Sequence, residues 1–277
     1  MSRLVLVATP IGNLADVSRR MIDELRSAGL VCCEDTRRTG MLLKNLGIDA
    51  TLMRVDDHTE HDSIPRVVDA LDEGRDVCLV TDAGTPGISD PGERLVRAVS
   101  ATGHTVTAVP GPAALVMALV VSGLPTSRFV FEGFLPRGGR DRAAVIADIA
   151  GQIRTTVIYE APHRVHRTLV DLHIALGDDR RIVVARELTK LHEEVWRGTL
   201  TDAVARWSDE HAKGEFVIVI AGAAPTAPMT ADDVDRLIVA ELAGGASVRD
   251  AASTVAHLTA VAKKIVYERA VELSRRD

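Results

Sequence analysis

Residues 77–92 read VCLVTDAGTPGISDPG, a strand-like run that breaks into a loop holding Gly84, Gly87, Gly92, Pro86, Pro91 and two acids. In open α/β sheets ligands settle beyond the carboxyl ends of strands, so this loop is where a site is expected. Glycine and proline are costly inside regular elements and leave backbone groups open to whatever approaches. Twelve residues with no large apolar anchor beyond Ile88 would make a wasteful plain connection.

On either side of this stretch, strand-like and helix-like patterns alternate through the first 123 residues, which predicts a parallel sheet covered by helices. Strands are expected at 4–9 (LVLVAT), 30–34 (LVCCE), 77–81 and 105–109 (TVTAV). Helices are expected from an Asp16 cap to about Ala28, over 36–46 up to Gly47, over 63–73 from an Asp62 or Ser63 cap, and over 91–102. Residues 113–122 are nearly all apolar and predict a helix buried between layers. GLPTSR (123–128) carries turn residues and marks a domain boundary.

Strands follow at 129–132, 156–160, 181–187, 194–199 and 216–221. The close spacing of RIVVARE and EEVWRGTL predicts an antiparallel hairpin and hence a mixed sheet. After the small-residue linker AGAAPTAPM (221–229), the rest reads as two or three helices. The expected organisation is α/β: domains at 1–123 and 124–224, the second with a mixed sheet, and a helical tail at 225–277.

Composition narrows the function classes. The chain has 277 residues, 46% hydrophobic and 26% charged, which suits an ordinary globular fold and excludes a disordered or fibrous one. Aromatics are 3%, so Val, Ala, Leu and Ile must build the core. A net charge of −6 argues against holding nucleic acid through the overall field and leaves only local basic patches. Three cysteines, Cys32 and Cys33 adjacent and Cys78 apart, form no CxxC knuckle and read as buried thiols. No 18-residue apolar run and no signal-peptide pattern occur, so a cytoplasmic protein is expected.

Neither a GxGxxG fingerprint nor a Walker A pattern is present. TPIGNL (9–14) follows the first strand, and VPGPAAL (109–115) leaves another through residues small enough for a flat ligand to lie against the backbone. CEDTRRTG (33–40) sets Glu34 and Asp35 beside Arg37 and Arg38, as a polar substrate site or an ion-pair network. RVDDHTEHD (54–62) resembles a metal site superficially, but without a second spaced cluster it reads as a solvated loop, and no metal is expected. FEGFLPRGGRDR (131–142) combines Phe131 and Phe134 with Arg137, Arg140 and Arg142, a mixture suited to RNA phosphates and unstacked bases. YEAPHRVHRT (159–168) places Arg164 on the first turns of a helix, and in ARELTK (185–190) Glu187 and Lys190 leave a strand.

Taken in order, TPIGNLADVS, EDTRRTG, DAGTPGISDPG, PGPAA, EGFLPR, YEAPHR, ARELTK and KGEFVIVI resemble the tetrapyrrole-methylase-like class of S-adenosylmethionine (SAM) methyltransferases over residues 4–222. The resemblance is strongest to the branch that methylates the ribose 2′-hydroxyl of a cytidine in the decoding region of 16S rRNA. It implies SAM in the cleft between two α/β domains, a homodimer and no metal. By position it assigns the cofactor to Pro10, Asp82, Ala83, Gly84, Ile88, Ala113, Ala114, Tyr159 and Glu160, completed by Leu188 and Phe216 from the second domain. Orientation alone can lower the barrier of methyl transfer by roughly 7 to 11 kcal/mol. The candidates for assisting removal of the hydroxyl proton are Glu34, Asp35, Glu187 and Lys190. RNA contacts are expected at Arg37, Arg38, Arg137, Arg140, Arg142, Arg164, Lys263 and Lys264. The tail, AVAKKIVYERAVEL, resembles the family more loosely, and its stretch 263–276 carries five basic and two acidic residues, a sum of +3. Two other readings compete: a porphyrinoid-precursor methyltransferase of the same fold, which EDTRRTG and EGFLPR oppose, and a noncatalytic ribosome-assembly module, which the intact glycine loop opposes.

Overall fold

The short apolar runs at 30–33 and 77–79 become strands that are buried on both faces. In the computed structural model, β1 (Arg3–Val7), β2 (Leu30–Cys33), β3 (Leu52–Arg54), β4 (Val77–Leu79) and β5 (Thr105–Val109) form one sheet in the order β3-β2-β4-β1-β5, with every pairing parallel. The described residues are 2–56, 59–207, 212–224, 230–259 and 261–274. Side chains alternate across this sheet. Val5, Val7, Val31 and Cys33 meet α1 (Arg19–Ser27) and α2 (Thr36–Asn45) on one face. Leu4, Leu30, Cys32 and Leu79 meet α3 (Glu60–Asp72) and α4 (Glu93–Ala101) on the other.

Several boundaries differ from the sequence reading for local reasons. The cap of α1 is Ser18, whose hydroxyl accepts the Met21 N–H, while Asp16 ends a separate 3-10 turn, Leu14–Asp16. α3 starts at Glu60 rather than Ser63, because Asp56 holds both the N–H and the hydroxyl of Thr59 and so organises the turn before it. β3 was not foreseen, being three residues at the sheet edge. The metal-like segment is put to structural use at Glu60, which is 4% exposed and accepts the N–H groups of Gly92 and Leu95 at the start of α4. Asp57 and His58 of that segment lie outside the described residues, as do residues 225–229 of the linker and Arg275 and Arg276 of the tail.

The second sheet contains β6 (Phe129–Phe134), β7 (Thr155–Glu160), β8 (Arg181–Arg186), β9 (Glu194–Thr199) and β10 (Phe216–Ile220), in the order β6-β7-β10-β8-β9. The β6–β7 pairing is parallel and the rest are antiparallel, with β8–β9 as the expected hairpin. One face carries α6 (Gly139–Gly151), α7 (Val165–Leu176) and α8 (Leu200–Arg206), packed on Ile158, Ile182, Val184, Ile218 and Ile220. The opposite face carries α5 (Ala114–Ser122), whose Leu115, Ala118 and Leu119 pack against Val157, Val183, Val217 and Val219. So the helix that follows the last strand of the first sheet covers the second sheet. It is not buried all round, since Val116, Met117, Val120 and Val121 are exposed.

The chain divides into two compact units, Met1–Ala223 and Ala224–Asp277. The second unit contains α9 (Ala231–Ala243), α10 (Val248–Thr259) and α11 (Lys263–Leu273) around Val234, Ile238, Val255, Val266 and Ala270. No helix among the described residues is long and apolar enough to cross a membrane.

Candidate functional site

The loops after β1 and β4 meet because those strands are neighbours in the sheet. Thr9 and Gly84 exchange backbone hydrogen bonds of 2.8 and 3.1 Å, and the Thr9 hydroxyl donates to the Thr81 carbonyl. Gly84 has φ 89°, a left-handed conformation that a side chain would strain. The Thr85 hydroxyl donates to the Pro112 carbonyl and draws in the segment after β5.

These loops form one wall of a hollow of about 400 Å³, in the range of a small-molecule site. Ten of the eleven residues assigned to the cofactor from sequence line it: Asp82, Ala83, Gly84, Ile88, Ala113, Ala114, Tyr159, Glu160, Leu188 and Phe216. Pro10 lines an adjoining hollow of about 250 Å³ instead. Sequence reasoning missed Ile11, Ser89, Asp90 and Glu215, which also line the larger hollow. Ser89 has φ 59° in a non-glycine residue, a strain of the kind found at binding sites. Glu215 stands next to Phe216 at the start of β10, and its position in KGEF was the available signal.

The aromatic wall is fixed on several sides. Tyr159 makes edge-on contacts with Phe131 and Phe134 at 5.0 and 5.6 Å between ring centroids. Its hydroxyl accepts the Leu115 N–H at 3.1 Å, and burial pushes its pKa up. Among the described residues, five carboxylates line the hollow, those of Glu34, Asp82, Asp90, Glu160 and Glu215, against the single guanidinium of Arg38. Such a surplus raises the local concentration of a cationic ligand.

The four proton-transfer candidates do not share one wall. Glu34 lines the 400 Å³ hollow, and also a third, polar one of about 620 Å³ that Asp35, Arg37 and Asp82 border. Asp35 caps α2 through the Arg37 N–H and pairs with the Arg37 guanidinium at 2.8 Å, which holds its carboxyl well below the usual range. Burial pushes the Glu187 carboxyl up, but Lys190 and the Glu215 N–H outweigh it and leave it below its usual value. Burial lowers the Lys190 pKa while its bonds to Glu215 and Glu187, each 2.9 Å, raise it further, so the ammonium persists. Lys190 faces the 250 Å³ hollow, with its stem against Gly12.

Two of the arginines nominated for RNA serve the interior, which corrects the sequence reading. Arg142 is 4% exposed; it donates to Asp171, to the Pro136 carbonyl and to the Thr168 hydroxyl, which donates in turn to Glu160 at 2.6 Å. Arg164 donates to the Leu135 carbonyl and pairs with Glu160 at 3.2 Å. Arg38 is bound to Asp82 at 3.2 Å on the wall of the hollow. Arg37, Arg137 and Arg140 are exposed, as are Lys263 and Lys264 in the C-terminal unit. The three cysteines are free and buried, and burial pushes the thiols of Cys32 and Cys78 up to about 12.

Residues 3–204 match the family described as Tetrapyrrole (Corrin/Porphyrin) Methylases, and residues 228–274 match the one described as RsmI C-terminal HTH domain. The chain is 42% identical to ribosomal RNA small subunit methyltransferase I of Synechocystis sp. over 99% of both chains. It is 38% identical to the protein of that name from Escherichia coli O157:H7, over 98% of this chain and 95% of that one. Among solved structures, uroporphyrin-III-C-methyltransferase from Thermus thermophilus aligns with TM-score 0.55 at 19% identity, covering 80% of this chain and 94% of that one. A cobalt precorrin-4 methyltransferase aligns with TM-score 0.61 at 16% identity, covering 79% and 94%. These structural likenesses carry the fold alone, whereas the sequence identities are high enough to place the chain. It belongs to the tetrapyrrole methylase family and, within it, to the ribosomal RNA small subunit methyltransferase I group.

Proposed function

We propose that this protein transfers the methyl group of SAM to the ribose 2′-hydroxyl of a cytidine in the decoding region of 16S rRNA, acting in the cytoplasm. The observation that carries the cofactor part is the 400 Å³ hollow, walled by small residues and backbone on one side and by Tyr159, Leu188 and Phe216 on the other. Its residues fit SAM. The acidic lining suits a sulfonium and an ammonium. The sulfonium supplies an already activated methyl group. The protein's part is to hold the acceptor oxygen in line and keep water away.

The cofactor roles of Ala83, Gly84, Ala113 and Ala114 are close backbone approach, and Tyr159 and Phe216 provide flat apolar contact. Glu160 acts as an anchor, because Arg164, Thr168 and the Ala161 N–H already bind its carboxylate. The exposed Arg37, Arg137 and Arg140 are the RNA contacts of the first unit, while Lys263 and Lys264 are those of the second. The outer face of α5, with Val116, Met117, Val120 and Val121 exposed, supports a homodimer in which a second copy covers it. Relatives' names favour rRNA over a porphyrinoid as acceptor.

Calorimetric titration with SAM tests the cofactor assignment. One site per chain is expected, and a flat titration would remove the catalytic reading in favour of a binding module.

A further inference from the structure

Asp82 lines all three hollows: the 400 Å³ one assigned to SAM and the two that share residues with it. Its two oxygens differ. Oδ2 is held by Arg38 at 3.2 Å, whereas Oδ1 is buried and has no hydrogen-bond partner among the described residues. Its neighbour Thr81, 3% exposed, also carries a buried hydroxyl with no partner and lines the 250 Å³ hollow with it. A buried polar atom left unmatched costs about 1–3 kcal/mol, so two of them on adjacent residues that line one hollow mark a place where a polar ligand completes the structure. The other acids nearby have their carboxylates engaged: Asp35 by Arg37, Glu187 by Lys190 and Glu160 by Thr168 and Arg164. Glu34 and Asp90 have partners as well.

We infer that Asp82 is the catalytic residue that receives the proton of the attacking hydroxyl, rather than a group that only binds the methyl donor. This rests on the function proposed above. The acceptor ribose approaches from a hollow that shares Asp82 with the donor site, and its hydroxyl donates to Oδ1 while Arg38 fixes the carboxylate plane through Oδ2. As the ribose oxygen bonds to the methyl carbon, the carbon–sulfur bond breaks, its electron pair returns to sulfur as a neutral thioether, and the hydroxyl proton passes to Asp82 and on to solvent. Arg38 is then a positioning residue, although sequence placed it with the RNA contacts.

The test compares Asp82→Asn, which keeps shape and removes the basic oxygen, with wild type in three readouts: SAM affinity by calorimetry, RNA affinity, and the single-turnover methylation rate on small-subunit RNA. The expected result is an RNA affinity within threefold of wild type and, at saturating SAM, a rate at least about 100-fold lower, the range set by loss of a general base. A second variant, Asp82→Ala, leaves room for a small carboxylate, and added formate is expected to restore at least tenfold of its rate. A rate loss under tenfold in Asp82→Asn at saturating SAM would overturn the inference and leave Asp82 to the donor site alone. If wild type itself binds no SAM or leaves the ribose unmethylated, the proposed function falls and takes this inference with it. Wild-type activity beside an equally active Asp82→Asn sinks the inference alone.

Discussion

Two glycine-rich segments, 81–92 and 131–142, look alike in sequence and behave differently in the fold. In the first, backbone shape does the work: Gly84 pairs with Thr9, and Gly92 gives its N–H to the buried Glu60. In the second, side chains decide the outcome, and the arginines divide. Arg137 and Arg140 stay in solvent, while Arg142, two positions further on, is drawn inside by Asp171, Thr168 and the Pro136 carbonyl. A backbone-built site can be read from local composition, because glycine and proline dictate conformation wherever they stand. The fate of an arginine depends on partners tens of residues away in sequence, so its type alone does not say which side of the surface it takes.

The comparison breaks most sharply at Arg142. Arg142→Ala leaves Asp171, the Thr168 hydroxyl and the Pro136 carbonyl without their guanidinium partner, in a network that reaches the buried Glu160 through Thr168, which costs about 3–5 kcal/mol. At about 2–4 °C per kcal/mol for a unit of this size, the thermal midpoint is expected to fall by roughly 6–20 °C. Arg137→Ala and Arg140→Ala are expected to shift it by less than about 2 °C, since exposed substitutions stay within about 0.5 kcal/mol. Equal midpoints for Arg142→Ala and wild type would remove the distinction between the two kinds of arginine.

On the backbone side, Gly84→Ala forces a side chain into a left-handed conformation with the Ile11 methyl 3.4 Å away, a cost of about 1–2 kcal/mol. Because Gly84 lines the 400 Å³ hollow, calorimetry is expected to show SAM affinity falling about tenfold. Unchanged affinity would mean that the glycine loop is not what the cofactor meets.

The exposed arginines are tested by charge. Arg137→Glu with Arg140→Glu should weaken RNA binding by about tenfold and reduce its salt slope by about two, while SAM binding stays as in wild type. Loss of SAM binding in that double variant would make the segment structural throughout, as it is at Arg142.

A smaller effect is expected at Glu187. Its folded pKa lies below its unfolded value of 4.5, so its contribution is present above that pH and is lost as pH falls through the folded pKa. The stability advantage of wild type over Glu187→Gln, under about 1 kcal/mol for a pair this accessible, should be present at pH 7 and shrink below pH 4 in urea titrations. An advantage that grows toward low pH would show that the Lys190 bond does not hold the carboxylate ionised.

Most of the strands and the mixed second sheet were legible because uninterrupted runs such as FVIVI and VCL are apolar on both faces and bounded by glycine or charge. β3 was not, since three residues at an edge carry too little pattern, and Leu52 is half-buried while Arg54 is exposed. Ser18 could not be told from Asp16 as the cap of α1 until the 3-10 turn that ends at Asp16 was seen. The small and strand-end residues that line the hollow were named from their motifs. The use of Glu60 to cap α4, the Arg38–Asp82 pair and the place of Glu215 needed the fold, because each joins segments that are far apart in the chain or is set by the strand geometry around it.

The central claim, methyl transfer to a ribose oxygen, is tested most directly at the modified nucleotide. Small-subunit RNA methylated to completion by the purified protein and SAM is treated with alkali, which cleaves a phosphodiester only through a free 2′-hydroxyl. The account predicts a single resistant linkage, on the 3′ side of one cytidine, that appears only when both protein and SAM are present. Stoichiometric methylation with ordinary cleavage at that nucleotide would place the methyl on the base and contradict it.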